Sequence, residues 1–119
     1  MREELTKREF SELVNSIGVP VGEGEQYLDT EKAPQKIAYW EFLWTDQMGS
    51  GDTYETVVRY QISYASNRAR DEHIKALKQA LNDAGLHPQF FHEYVKGTNG
   101  PGYHHWYCAV DVLEDVLEG

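Results

Sequence analysis

Apolar residues first recur at helical spacing near the start of the chain. Phe10, Leu13, Val14 and Ile17 share one helical face, while Lys7, Arg8, Glu9 and Glu12 form the polar one. Thr6 followed three residues later by Glu9 has the form of a capping box, in which hydroxyl and carboxylate each accept from an otherwise unpaired backbone N–H. Gly18 and Pro20 supply the stop, and the pattern predicts a helix over 6–17. The next stretch, 18–35, shows neither helical nor strand period. Its glycines, prolines and the acids Glu23, Glu25, Asp29 and Glu31 read as a long acidic loop.

From Lys36 the period changes to two. In "KIAYWEFLWT" Ile37, Tyr39 and Leu43 occupy one parity and Ala38, Trp40, Phe42 and Trp44 the other, which predicts a strand over 36–45 with no purely polar face. Such a strand is covered on both sides or lies in an interface. "DQMGSGD", carrying Asp46, Met48 and Asp52, reads as a loop. A second strand is predicted over 53–65, where Tyr54, Thr56, Val58, Tyr60, Ile62 and Tyr64 alternate with Glu55, Val57, Arg59, Gln61 and Ser63.

A helix over 67–84 follows, capped by Ser66 or Asn67, with Ile74, Leu77, Leu81 and Ala84 as its apolar stripe and Gly85 as its end. "HPQFFHEYVKG" and "GYHHWYCAVDVL" flank a turn-rich "TNGP" and predict a hairpin within 87–112. Leu113, Val116 and Leu117 are spaced for a short helical tail. The expected fold is a single α+β domain in the order α-β-β-α-β-β, with two helices packed on an antiparallel or mixed four-stranded sheet.

Composition narrows the function. A chain of 119 residues buries roughly two thirds of its unfolded surface, enough for a core without covalent staples. Its net charge of −9 disfavours nucleic-acid binding, which depends on cation placement. A single cysteine excludes an intramolecular disulfide and fits a reducing compartment. The charged N-terminal segment and the lack of a long apolar run lead to the expectation of a soluble, cytoplasmic chain without a membrane span.

The densest chemistry lies in "GPGYHHWYCAV". On a strand the adjacent histidines point to opposite faces, so His104 and His105 cannot hold one ion together. His104, Trp106, Cys108, Val110 and Val112 make a core parity; His105, Tyr107, Ala109 and Asp111 make the other. A metal site would need His92 or Asp111 to join His105, and metals of this kind want three or four ligands. Cys108 shares its face with Trp and Val, a poor setting for a thiolate nucleophile. No hydrolase, zinc-protease, P-loop or dinucleotide motif is present. The pattern implies an aromatic strand, no catalytic residue and no cofactor.

In layout the chain resembles the tail terminator or tail completion proteins of long-tailed bacteriophages and prophages, also described as head–tail joining or minor tail proteins. The resemblance spans nearly the whole chain. It is carried by "SIGVPVGEG" after the first helix, "APQKIAYWEF", "GSGDTYETVVRYQISYAS", the helix "NRARDEHIKALKQALNDAGL" and the closing "HHWYCAVDVL". The doubled histidine and the "KGTNGPG" turn depart from the family's style.

The resemblance implies a non-enzymatic subunit of a ring, usually a hexamer, that caps the head-proximal end of the tail tube and joins tail to head. Its partners would be itself, the tube protein and head connector proteins, and its location the virion tail after assembly in the host cytoplasm. Trp40, Phe42, Trp44, Met48 and Tyr54 would then be assembly-interface candidates. Glu23, Glu25, Asp29, Glu31, Asp46 and Asp52 would be candidates to contact tube or connector. The competing readings are a small acidic adaptor or inhibitor of a basic protein and, last, a metal-dependent or cysteine enzyme.

Overall fold

The computed structural model describes residues 5–24, 35–48, 54–97 and 102–113, of which 45–48, 54–56 and 113 are described in backbone only. Among these described residues, six strands and two helices follow in the order β1 (Leu5–Thr6), α1 (Lys7–Asn15), β2 (Val21–Glu23), β3 (Lys36–Met48), β4 (Tyr54–Ser66), α2 (Glu72–Asp83), β5 (Phe91–Val95) and β6 (Tyr103–Leu113). All six strands belong to one sheet, in which β2, β3, β4 and β6 lie side by side. The far edge of β6 is shared by β5, antiparallel, and by β1, parallel.

The sheet is therefore mixed and has six strands where four were expected. β1 and β2 are two and three residues long, too short to show a period of two, and are defined only by parallel pairing with longer neighbours. β2 also corrects the reading of 18–35 as continuous loop: Glu23 sits on a strand opposite Tyr39, its carboxylate 3.9 Å from the Lys7 ammonium. β3 runs on to Met48 because its ladder with β4 continues through Asp46↔Thr56 to Met48↔Tyr54. Asp46 is a strand residue and not part of a loop.

Both helices cover the same face of the sheet. Phe10 and Val14 of α1 and Ile74, Leu77 and Leu81 of α2 pack on Tyr39, Tyr60, Ile62, Tyr64, Cys108, Val110 and Val112. The Phe10 ring lies stacked 5.0 Å from Tyr60 and edge-on 5.2 Å from Tyr39. Alternation along β4 and β6 thus sorts most of the apolar residues as expected, with Cys108 at 2% exposure among them, while Val57 on the opposite parity is buried as well and Trp106 of the core parity is only half-buried. Burial pushes its thiol up to about 12, so it stays protonated at neutral pH.

Local chemistry sets the helix ends. The capping box forms as read: Thr6 Oγ1 accepts from the Glu9 N–H at 3.2 Å, and Glu9 Oε1 accepts from the Thr6 N–H at 3.0 Å. α1 ends two residues early because the Ser16 N–H and hydroxyl both donate to the Leu13 carbonyl. α2 starts later than predicted, at Glu72, because its cap is Asp71. Oδ1 of Asp71 accepts from the N–H groups of His73 and Ile74, both at 3.0 Å, while Oδ2 accepts from the hydroxyls of Tyr64 at 2.6 Å and Ser66 at 2.7 Å.

Candidate assembly surface

With both helices on one side, the opposite side of the sheet carries no covering element among the described residues. Its composition follows from register. Directly opposed residues share a face, so Trp40, Gln61 and Ala109 form one row and Ala38, Ser63, Tyr107 and Phe91 the next. Lys36, Ala65, His105 and Glu93 form a third. The small residues Ala38, Ser63 and Ala65 are buried in the middle of these rows. Trp40 and Tyr107 are half-buried, while Phe91 is 48% exposed. Phe91 and Tyr107 stack at 5.4 Å, and His105 stacks on Tyr107 at 5.0 Å. The result is an aromatic surface with a buried, small-residue centre.

Polar groups rim it. Arg59 and Asp111 face each other across β4 and β6, with Nε to Oδ1 at 2.7 Å and Nη2 to Oδ2 at 3.3 Å. The Asp111 carboxylate raises the Arg59 pKa further, through hydrogen bonding and then charge. Glu93 Oε2 lies 2.9 Å from His105 Nδ1, while Nε2 of His105 is buried without a hydrogen-bond partner.

A β-bulge divides β3. Glu41 pairs with Tyr60 and Leu43 with Arg59, leaving Phe42 without an opposite residue. The alternation resets there. Trp40 belongs to the open face, whereas Trp44 pairs with Val58 and belongs to the helix-covered face, so the two do not share a face as their spacing predicts. Phe42, Leu43 and Trp44 are 53%, 43% and 65% exposed.

The remaining candidates disperse. Met48 and Tyr54 are the last backbone pair of the β3–β4 ladder, and their side chains lie outside the described residues, as does that of Asp46; Glu31 lies outside them altogether. Glu25, Asp29 and Asp52 lie outside altogether, as does the 114–119 tail. His92 pairs with Trp106 on the helix side, where its Nε2 lies 3.0 Å from His104 Nδ1. His105 and Asp111 lie on the open face, but six residues apart along β6, about 20 Å. The three metal candidates are not brought together. Among the described residues no three His, Cys, Asp or Glu side chains gather as a metal site.

Phe91 and Tyr107 are the surface residues that reading the sequence missed. Their signal lay in the hairpin register, which pairs them directly.

No family model matches the chain, and no curated protein matches it. Among solved structures, it is similar to the sheath/tube terminator of an extracellular contractile injection system, PVC, in its extended state, at 10% identity and a TM-score of 0.33. The alignment covers 92% of this chain and 57% of that one, so this chain spans little more than half of its neighbour's length.

Proposed function

We propose that this chain is a structural subunit of a ring that caps the head-proximal end of a phage-type tail tube and joins tail to head. The observation that carries the reading is the open aromatic face of the sheet around Trp40, Tyr107 and Phe91. An aromatic-rich face of this kind, interspersed with Gln61 and Ser63 and rimmed by Arg59, Asp111 and Glu93, is the composition that protein interfaces favour. The sequence resemblance to tail terminators supplies the occupant: a neighbouring copy, meeting this face with a different one of its own, as a closed ring requires. Six copies are the number that the resemblance implies. The net charge of −9 suits a ring through which DNA passes without adhering.

Native mass spectrometry and co-sedimentation with assembled tail tubes test the reading. A hexamer, or tube-dependent association of the chain, is expected. A chain that stays monomeric at every concentration and also fails to bind tubes overturns it.

A further inference from the structure

On the helix-covered side, away from the open face, a cleft of about 510 Å³ lies between α2 and the segment leading into β5. Its apolar lining includes Ile74, Phe90 and the Trp106 ring, and Arg70, Lys75 and Lys78 also line it. Three of the chain's eleven basic side chains thus meet at one concavity of a molecule whose net charge is −9. All three are exposed, and none joins an ion pair among the described residues.

Trp106 is held in place from several sides. Its indole N–H donates to the Ala69 carbonyl at 2.6 Å, His92 stacks on it at 4.2 Å with the planes 5° apart, and the Arg70 guanidinium lies 6.0 Å from its ring. An aromatic wall fixed before binding loses little freedom when a ligand arrives.

We propose that this cleft docks a short acidic peptide segment of a partner protein, with one apolar side chain seated against Phe90 and Trp106 and its carboxylates facing Arg70, Lys75 and Lys78. Charge complementarity selects an anionic ligand, and the apolar lining selects one with an apolar side chain between its charges. A long polyanion is disfavoured, because the remainder of this acidic chain repels it over many charges at once. The assignment does not depend on whether copies associate through the open face, which lies on the other side of the sheet.

The test is fluorescence anisotropy of a labelled peptide made of Glu and Asp around a central Leu-Phe pair, titrated with the full chain. Its Gln/Asn counterpart and an oligo-dT of equal length serve as competitors. Saturable binding is expected, weakened by added salt and weakened roughly tenfold or more by Lys75→Glu with Lys78→Glu. Lys96→Glu, away from the cleft, should leave binding unchanged. Absence of saturable binding, equal loss with Lys96→Glu, equal competition by the uncharged peptide, or stronger competition by oligo-dT would each overturn the proposal.

Discussion

The Tyr64 hydroxyl, at the end of β4, donates to Oδ2 of Asp71 at 2.6 Å and so ties the central strand to the cap of the helix that follows it. Asp71 is 5% exposed and accepts four close hydrogen bonds, from Tyr64, Ser66, His73 and Ile74. Burial alone would raise its pKa; the hydrogen bonds from Tyr64, Ser66 and the two backbone N–H groups outweigh it and hold the carboxyl below its ordinary 3.8. Tyr64 is pushed upward, first by burial and then by this carboxylate.

Asp71→Ala removes a helix cap and leaves two buried hydroxyls without their acceptor. The expected loss is about 2–4 kcal/mol in chemical denaturation. Because the folded carboxyl is more acidic than the unfolded one, its contribution is complete above the unfolded pKa and is lost as pH falls below about 4 through the folded value. The wild type should therefore lose more stability than the alanine variant between pH 5 and pH 2, about the range over which such a carboxyl titrates. Parallel loss in both proteins would contradict the linkage.

Leu77 is fully buried where α2 meets the sheet. Leu77→Ala should cost roughly 2–5 kcal/mol, read from urea midpoints, as large-to-small changes in packed cores do. A cost within experimental error would mean that α2 does not pack as described.

The raised Cys108 pKa and its burial give a chemical readout of the same core. The native thiol should resist Ellman's reagent at pH 8 and react fully after denaturation. Fast labelling of the native protein would place Cys108 at the surface.

Trp40 and Trp44 separate the two sides of β3. Trp40→Glu should weaken self-association through the open face, whereas Trp44→Glu should leave it intact, both read by native mass spectrometry. The reverse result would put the interface on the helix-covered side of the hairpin.

Gly102 precedes β6 at a point where an added Cβ would collide with the Val95 carbonyl oxygen and come within 2.7 Å of the Tyr94 hydroxyl oxygen. Gly102→Ala should destabilise by about 1–3 kcal/mol, as overpacking does, with hydrogen exchange rising first in β5. Unchanged protection of Phe91–Val95 would show that the hairpin relaxes around the methyl group.

How far the sequence could be read differs from element to element. The parity of β6 places Cys108, Val110 and Val112 in the core, because a regular strand carries its faces in its spacing. The cap of α2 was hidden for a different reason. Ser66, Asn67 and Asp71 are all good caps, and the choice falls to Asp71, which the Tyr64 and Ser66 hydroxyls also reach, a tertiary fact without a local signal. The open face was legible at Trp40 but not at Phe91 and Tyr107, since strand register is a property of two segments and not of either one. Trp44 was misplaced because a bulge changes parity without any mark such as Gly or Pro at Phe42.

Phe42 is surplus to the ladder that surrounds it. Glu41 and Leu43 face consecutive residues of β4, so a chain lacking residue 42 would retain all the β3–β4 pairs and close into an unbroken alternation. Removal of another interior residue of β3 would require neighbouring side chains to exchange faces or the bulge to migrate. Among homologues, length variation within this strand should therefore concentrate at Phe42, where it would change the bend of the hairpin while conserving its partners: a joint whose angle can evolve separately from its pairing.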